Sequence, residues 1–211
     1  MQKTLAICHS RIFREIQGIT LIKRYIKLIV CSIGFILFTP SLSYSQSEFI
    51  GLSSIYDDSS REWRIYCLDN YGDEFQSYAN AKWPHKTPWT EWQIDHLDYY
   101  WNMFLRFQTN PQHWFLDSND LSISIKQKWR NDITEWSVSF DDHLLKWKSE
   151  YRNDLSVWFF ESKEFGYLEM WTTFEGDPRD WEIEDQAPNV PDEVKVAMIM
   201  ITAFQTNGIR Q

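Results

Sequence analysis

Residues 121–164 read LSISIKQKWRNDITEWSVSFDD and then HLLKWKSEYRNDLSVWFFESKE, which is one 22-residue pattern written twice. In each copy an opening aromatic residue is followed by Arg-Asn-Asp, and a closing tryptophan comes seven positions after the aromatic. The pattern recurs along the chain, where after a first gap of 29 residues the intervals between closing tryptophans are 22, 22, 22 and 23. The six closing tryptophans are Trp63, Trp92, Trp114, Trp136, Trp158 and Trp181. A fixed period of this length indicates one supersecondary unit copied along the chain.

The unit has the pattern of a β-hairpin, because apolar and polar residues alternate with period two ahead of each opening aromatic. The predicted dry face carries Trp101, Met103, Leu105, Phe107, Ile123, Ile125, Trp129, Leu145, Trp147, Tyr151, Leu168, Met170 and Phe174. Six polar residues separate the two aromatics of a unit and are rich in Asn, Asp and Gly. We interpret them as a hairpin loop whose two flanking aromatics clamp the strand ends against each other. The second unit departs from the pattern, since Trp83 lies nine residues before Trp92.

A further apolar column lies two residues after each closing tryptophan, without exception. We therefore predict a mainly β fold over residues 46–186, an antiparallel meander of about twelve short strands in six hairpin repeats. Such a sheet must cover its apolar face, and it can do so by curling into a barrel or folding over as a sandwich. A parallel β-solenoid of 22-residue coils is the alternative that the period also suits. It is less favoured because paired aromatics beside a short turn have a role in a hairpin and none in a coil.

Residues 187–211 differ in composition, since the segment from Val190 to Phe204 is nearly all apolar. Pro191 followed by two acidic residues is typical of a helix start, and Asn207-Gly208 is typical of its end. We predict a buried helix that packs on the sheet, because an element that is apolar on all sides must be covered. The many Val, Ile and Thr residues leave a strand open as the alternative.

The first 45 residues have the order of a secretory signal, with six basic residues, an apolar run of about 11 residues from Leu28 to Phe38, and then small polar residues. The apolar run is well short of the roughly 20 residues that span a bilayer. We predict cleavage ahead of Gln46 rather than a retained N-terminal anchor, with no stable transmembrane span after processing. The protein is then periplasmic, on the cell surface or extracellular.

Loss of the leader removes six of the 21 basic residues and one of the 30 acidic residues, and the remaining chain carries a net charge of about −14. A surface of this sign repels phosphate backbones, so nucleic acid is not expected as a partner. Cys67 is then the one remaining cysteine. An intramolecular disulfide is thereby excluded in the processed chain, and we expect a small buried thiol.

The closing tryptophans are assigned to the core, and aromatics outside the apolar register are the better candidates for ligand binding. Flat rings can stack on sugars or on a protein surface, and an exposed group of them would mark an interaction site. The alternative is burial under a loop or a second layer. The candidates are Trp89, Phe104, Phe115, Phe159 and Trp171.

No catalytic motif is present, but paired carboxylates could hydrolyse a glycan with Glu91, Asp95, Asp98 or Glu135 as acid or base. That chemistry needs a cleft in which one carboxyl has a raised pKa. His96, between two aspartates, is expected in a surface turn. The spacing of His, Cys and acidic residues predicts no metal site, and we predict no cofactor.

These observations predict an exported, non-catalytic binding or structural module of the cell envelope, with a glycan or an envelope protein as ligand. One alternative is the carboxylate-dependent glycan hydrolase. The other is a subunit of a larger envelope assembly, in which a partner covers the off-register aromatics.

Overall fold

The computed structural model describes residues 46–56, 59–85, 90–107 and 110–207. The predicted leader and Trp89 lie outside these residues. The described chain forms twelve strands and one helix, with these bounds: β1 Glu48–Tyr56, β2 Ser59–Leu68, β3 Glu74–Ala81, β4 Glu91–His96, β5 Tyr99–Phe107, β6 Asn110–Asp117, β7 Ser122–Trp129, β8 Asp132–Phe140, β9 His143–Tyr151, β10 Asp154–Ser162, β11 Gly166–Phe174, β12 Asp177–Gln186 and α1 Asp192–Thr206.

Each strand pairs antiparallel with the next along the chain, and β1 pairs antiparallel with β12, which closes the sheet into a barrel. The predicted twelve-strand meander is confirmed. Closure leaves no unpaired sheet edge, so the barrel is realised rather than the sandwich. The parallel solenoid is wrong, because neighbouring strands in the described barrel run in opposite directions.

The barrel has two different ends. At the tip end lie the connections inside each repeat, which join β1 to β2, β3 to β4, and so on to β11 and β12. At the base end lie the turns between repeats and the start of α1. The two ends are named in this way below.

The predicted six-residue loops and aromatic clamps at the tip end are wrong. Trp129 pairs with Asp132 across a two-residue turn, and after a register irregularity Gln127 pairs with Trp136. Asn131 has a φ of 63°, a left-handed conformation that lets the chain reverse this tightly. The two aromatics of a unit therefore do not face each other, because the second strand begins inside the stretch that the sequence indicates as loop.

The residue that opens the second strand is Asn or Asp in four hairpins, and its side-chain oxygen accepts the backbone N–H two residues later. The four bonds are Asn110 with Gln112, 3.1 Å; Asp132 with Thr134, 3.0 Å; Asp154 with Ser156, 2.9 Å; and Asp177 with Arg179, 3.1 Å. This local bond stabilises the short irregular segment between the turn and the closing tryptophan.

The six closing tryptophans are at most 3% exposed, which confirms their assignment to the core. In five of them the indole N–H donates to the carbonyl three residues earlier, in Ser60, Pro111, Ile133, Leu155 and Pro178, at 2.7–3.0 Å. The apolar column two residues further on is also buried, and so is Cys67, whose thiol has its pKa raised to about 12 by burial. These five repeats thus bury a large ring and satisfy its N–H by a local hydrogen bond.

The predicted helix is confirmed, and it lies within the barrel. Every residue from Val194 to Gln205 is buried, whichever side of α1 it faces. Its side chains contact strands around the barrel, since Phe204 stacks on Trp92 of β4 at 4.1 Å and the Thr202 hydroxyl accepts the indole N–H of Trp147 of β9 at 2.8 Å. The helix begins at the base end, and Asn207 just after it donates to the carbonyl of Pro178 at the tip end. No helix in the described residues is long and apolar enough to cross a bilayer.

Candidate functional site

The opening aromatics lie at the tip end with their side chains exposed, and we call these six residues the aromatic rim. Their exposed fractions are Tyr56 37%, Trp83 44%, Phe107 56%, Trp129 56%, Tyr151 54% and Phe174 61%. The sequence places four of them on the dry face, and that prediction is wrong. In three of these four, Phe107, Trp129 and Phe174, the strand pair loses its register just before the aromatic, which ends the strict alternation inside the barrel wall.

The best-defined part of the rim is a three-residue arrangement around Trp129. The indole N–H of Trp129 donates to Glu135 Oε2 at 3.2 Å, and Lys128 Nζ lies 2.7 Å from Glu135 Oε1. The same ammonium lies 5.4 Å from the centre of the indole ring. Glu135 directly precedes the closing tryptophan of β8. The carboxylate therefore fixes the orientation of an exposed tryptophan through a hydrogen bond and an ion-paired lysine.

The same arrangement occurs two hairpins earlier, although the turn there is longer. Trp83 donates its indole N–H to Glu91 Oε2 at 3.2 Å, and Lys82 Nζ lies 3.0 Å from the same carboxylate oxygen. Lys82 lies 5.8 Å from the indole centre. We call each Lys-Trp pair with its Glu a tryptophan cassette. Two cassettes built from the same three residue types present exposed indoles on one end of the barrel.

The hydrolase alternative requires a carboxyl group with a raised pKa, and Glu135 does not have one. Burial would raise its pKa, but hydrogen bonds from Lys128, Lys146 and Trp129 outweigh burial and lower the pKa to about 2. A general acid in glycoside hydrolysis needs the opposite direction. Glu91 likewise pairs with Lys82 and accepts the indole N–H of Trp83. In the two cassettes the carboxylates act as structural acceptors.

Cations also lie over two other rim rings. The Arg61 guanidinium is 4.5 Å from the centre of the Tyr56 ring, and that of Arg106 is 5.5 Å from the Phe107 ring. These contacts add to the orientation of the rings at exposed sites, each with about 0.5–1 kcal/mol. The rim therefore combines aromatic rings with cations that already contact those rings.

The off-register candidates in the described residues fall into two pairs on the outer wall. Phe104 of β5 and Phe115 of β6 are directly opposite in the register and stack with centres 6.0 Å apart. Trp171 of β11 lies opposite Val157 of β10, two residues from Phe159, whose ring has Lys148 at 4.6 Å. All four side chains are half-buried. Three strands, β7, β8 and β9, lie between β6 and β10, so the structure does not bring the two pairs into one patch.

Trp171 is the candidate that the structure connects to the aromatic rim. It lines a surface pocket of about 690 Å³ between the tips of the β9–β10 and β11–β12 hairpins, the hairpins that carry Tyr151 and Phe174 of the aromatic rim. The lining residues are Asn153, Asp154, Ser156, Val157, Trp171, Thr172, Glu175 and Gly176. The pocket thus combines an indole with hydroxyl, amide and carboxylate groups, a mixture suited to a polar ligand with an apolar face.

His96 is not in a surface turn as predicted, because it is 1% exposed at the base end of the barrel. Its Nδ1 is 2.8 Å from Ser77 Oγ, and its Nε2 is 3.2 Å from Ser47 Oγ and 3.3 Å from Asp192 Oδ2. Three groups close on the ring in the folded barrel, and they lie far from His96 in the sequence. Asp95 and Asp98, the aspartates near His96 in the sequence, are not among these partners.

The Ser77 hydroxyl, the His96 imidazole and the Asp192 carboxylate lie in line and resemble a catalytic triad, but no substrate can reach this cluster. The side chain of Ser77 is fully buried, and the imidazole is packed between the rings of Phe49 and Trp101 at 5.8 and 4.9 Å. Asp192 opens α1, and it also accepts the backbone N–H of Ser47 at 2.9 Å. The cluster therefore attaches the helix start to the barrel wall.

A buried ion pair reinforces this attachment. Lys195 Nζ lies 2.8 Å from Asp185 Oδ2, and both side chains are 2% exposed. Lys195 also donates to the carbonyl of Ser47, and Asp185 accepts the backbone N–H groups of Phe49 and Ala187. These bonds satisfy the charged pair and tie α1, β1 and β12 together.

Within the described ranges, no three His, Cys, Asp or Glu side chains come together in a way that could hold a metal ion. No protein-family model matches the chain, and neither a curated protein nor a solved structure matches it. The function must therefore be argued from the aromatic rim, the Trp171 pocket and the chemistry of their residues.

Proposed function

We propose that the protein is an exported, non-catalytic binding module of the cell envelope, and that the aromatic rim with the adjoining Trp171 pocket is its binding surface. The observation that supports this most strongly is the exposure of all six opening aromatics at one end of the barrel. Large aromatic side chains concentrated on one exposed region are typical of interaction sites. Packing of the barrel does not require these rings, because the closing tryptophans and α1 already fill its interior.

A glycan is the ligand class that fits the rim best. The apolar faces of sugar rings stack on flat aromatic rings, while their hydroxyl groups hydrogen-bond to carboxylates, amides and hydroxyls of the kind that line the Trp171 pocket. The excess of acidic residues disfavours polyanionic ligands. The low pKa of Glu135 supports binding without hydrolysis.

Thermal unfolding of the purified protein against a panel of polysaccharides and oligosaccharides tests this proposal. Ligand at 100 times its dissociation constant stabilises the folded state by about 2.7 kcal/mol. For a domain of this size that corresponds to a rise of roughly 5–10 °C in the melting temperature. We expect a rise with at least one sugar class and no sugar products in solution. Release of shorter sugars would instead support the hydrolase.

The second candidate function is a subunit of a larger envelope assembly. Exposed apolar side chains at the base end favour it. Large apolar side chains are exposed there too, namely Tyr71, Leu97, Tyr99, Tyr100 and Leu144. An assembly that covers both ends predicts self-association or aggregation of the isolated chain. Analytical ultracentrifugation distinguishes the two candidates, since the binding module is expected to sediment as a monomer.

A further inference from the structure

We propose that the rim binds a linear, neutral polysaccharide through the two tryptophan cassettes together, so that the ligand must be long enough to reach both Trp83 and Trp129. This inference rests on the proposed function and adds to it a ligand class and a minimum ligand length. It starts from the repetition of one residue arrangement, in the β3–β4 hairpin and again in the β7–β8 hairpin.

The two cassettes match in chemistry and in geometry. In both, the indole N–H lies 3.2 Å from a Glu Oε2, and in both a lysine next to the tryptophan pairs with that Glu. Two matched sites on a single chain suit a ligand that repeats the same chemical unit along its length. A linear polysaccharide is such a ligand.

The cassettes hold their indoles in place before any ligand arrives. A tryptophan at the end of a hairpin would otherwise lose side-chain freedom on binding, at a cost of about 0.5–1.5 kcal/mol for each side chain that becomes ordered. The Glu acceptor and the lysine remove part of that cost in the free protein. Fixed rings also fix the distance between the two stacking positions.

The spacing along the rim requires an extended ligand. Neighbouring strands are about 4.8 Å apart, so successive hairpin tips are separated by roughly 10 Å along the barrel wall. The β5–β6 hairpin, with exposed Phe107, lies between the two cassettes. A single sugar can contact one indole only, whereas a chain of several units can pass from Trp83 over Phe107 to Trp129.

The charges of the cassettes favour a neutral polymer. Lys82 is paired with Glu91, and Lys128 shares Glu135 with Lys146 at 2.7 and 2.8 Å. An anionic polymer would have to displace these carboxylates, and it would approach a chain with a large acidic excess. A neutral chain meets neither obstacle, so its affinity should be insensitive to salt.

Calorimetric titration with length series of neutral oligosaccharides tests the inference. The probes are β-1,4-glucan, β-1,3-glucan, xylan, mannan and chitin fragments of two to eight units, with polygalacturonate as the anionic comparison. For one neutral series, we expect affinity to rise at least tenfold between the shortest and longest fragments, because binding at the second cassette becomes intramolecular. We expect no change in this affinity between low and high salt.

The variants Trp83→Ala and Trp129→Ala should each reduce the affinity of the long fragment to nearly that of the short one. They should also leave the melting temperature nearly unchanged, because both rings are exposed. Glu135→Gln tests positioning, and we expect it to weaken long-fragment binding several-fold while Trp129 is still present. Tyr100→Ala at the base end is the matched control, with unchanged affinity.

Length-independent binding that still needs the rim would overturn this inference and leave the proposed function standing. Preference for polygalacturonate with a strong salt dependence would overturn the neutral ligand class. Absence of binding to every glycan would remove the proposed glycan function together with the inference.

Discussion

The two sets of aromatic residues in this barrel come from the same repeat, seven residues apart in five of its six copies, and have opposite environments. The closing position is tryptophan in all six repeats and is buried. The opening position is Tyr, Trp or Phe and is exposed. The closing tryptophan fills a defined space, and in five of the six repeats its N–H also reaches the carbonyl three residues earlier. The opening position requires an aromatic surface and accepts any of the three residues.

One repeat can therefore encode both the core and a surface of a barrel. Uniform residue identity marks the position where packing is tight, since interiors are close-packed and respond to small volume changes. Variable identity within one chemical class marks the position where the ring faces outward. Substitutions in the two sets should therefore have different effects.

The largest effect is expected from removing the ring of one closing tryptophan. Trp136→Ala should lower the free energy of unfolding by about 3–5 kcal/mol, because it leaves a cavity in the barrel wall. The matched rim variant Trp129→Ala should change it by less than about 1 kcal/mol, because the ring is more than half exposed. Urea denaturation followed by circular dichroism measures both values. Equal losses would show that the rim is part of the core.

A smaller effect is expected from the hydrogen bond between Thr202 of α1 and Trp147, a buried tryptophan that is not one of the six closing tryptophans. Thr202→Val keeps the volume but leaves the buried indole N–H of Trp147 without its acceptor, at a cost of about 1–3 kcal/mol. Thr206→Val is the control, since that hydroxyl donates to the helix's own carbonyl at Thr202. We expect the control to lose under about 1 kcal/mol. A neutral Thr202→Val would argue against the placement of α1 within the barrel.

The smallest of these effects concerns the rim itself and depends on pH. The pKa of Glu135 is lowered to about 2 from 4.5, so its carboxylate contributes stability above about pH 4.5, and this contribution is lost as the pH falls toward 2. Because the site is near the surface, we expect Glu135→Gln to cost only about 1 kcal/mol at pH 7. The difference from the natural chain should disappear near pH 2.

Glu62 occupies the same repeat position as Glu135 and lies 3.8 Å from Arg61, outside a tryptophan cassette. Glu62→Gln should therefore change stability by less than about 0.5 kcal/mol at either pH. Denaturation midpoints at several pH values measure both variants. A pH-independent cost of Glu135→Gln would contradict the proposed role of its charge.

The strands, the helix and the inner tryptophans could be predicted from the sequence, because each depends on a local period. Alternation with period two defines the strands, the 22-residue interval counts the hairpins, and the apolar segment from Val190 to Phe204 gives α1. The environment of the opening aromatics could not be predicted in this way. The alternation places Trp129 on the dry face, and only the register irregularity after Gln127 turns the strand end out of that pattern.

The partners of His96 depend on closure of the barrel, which no local pattern records. Ser77 lies on the neighbouring strand β3, Ser47 lies just before β1, and Asp192 begins the helix. The positions of the candidate binding residues likewise depend on closure of the barrel. Phe104 and Trp171 occupy the same position in their repeats, yet the barrel places them on strands six apart, and only Trp171 lines the pocket beside the rim.

Affinity electrophoresis compares the natural chain with a rim variant that lacks four of the six rim rings, Phe107→Ser with Trp129→Ser, Tyr151→Ser and Phe174→Ser, and so tests whether the aromatic rim is the binding surface. Both proteins are run through gels that contain each polysaccharide in turn, after circular dichroism has shown that both are folded. We expect at least one polysaccharide to retard the natural chain and none to retard the rim variant. Equal retardation of the two proteins, or retardation of neither, would contradict the claim that the aromatic rim is the binding surface.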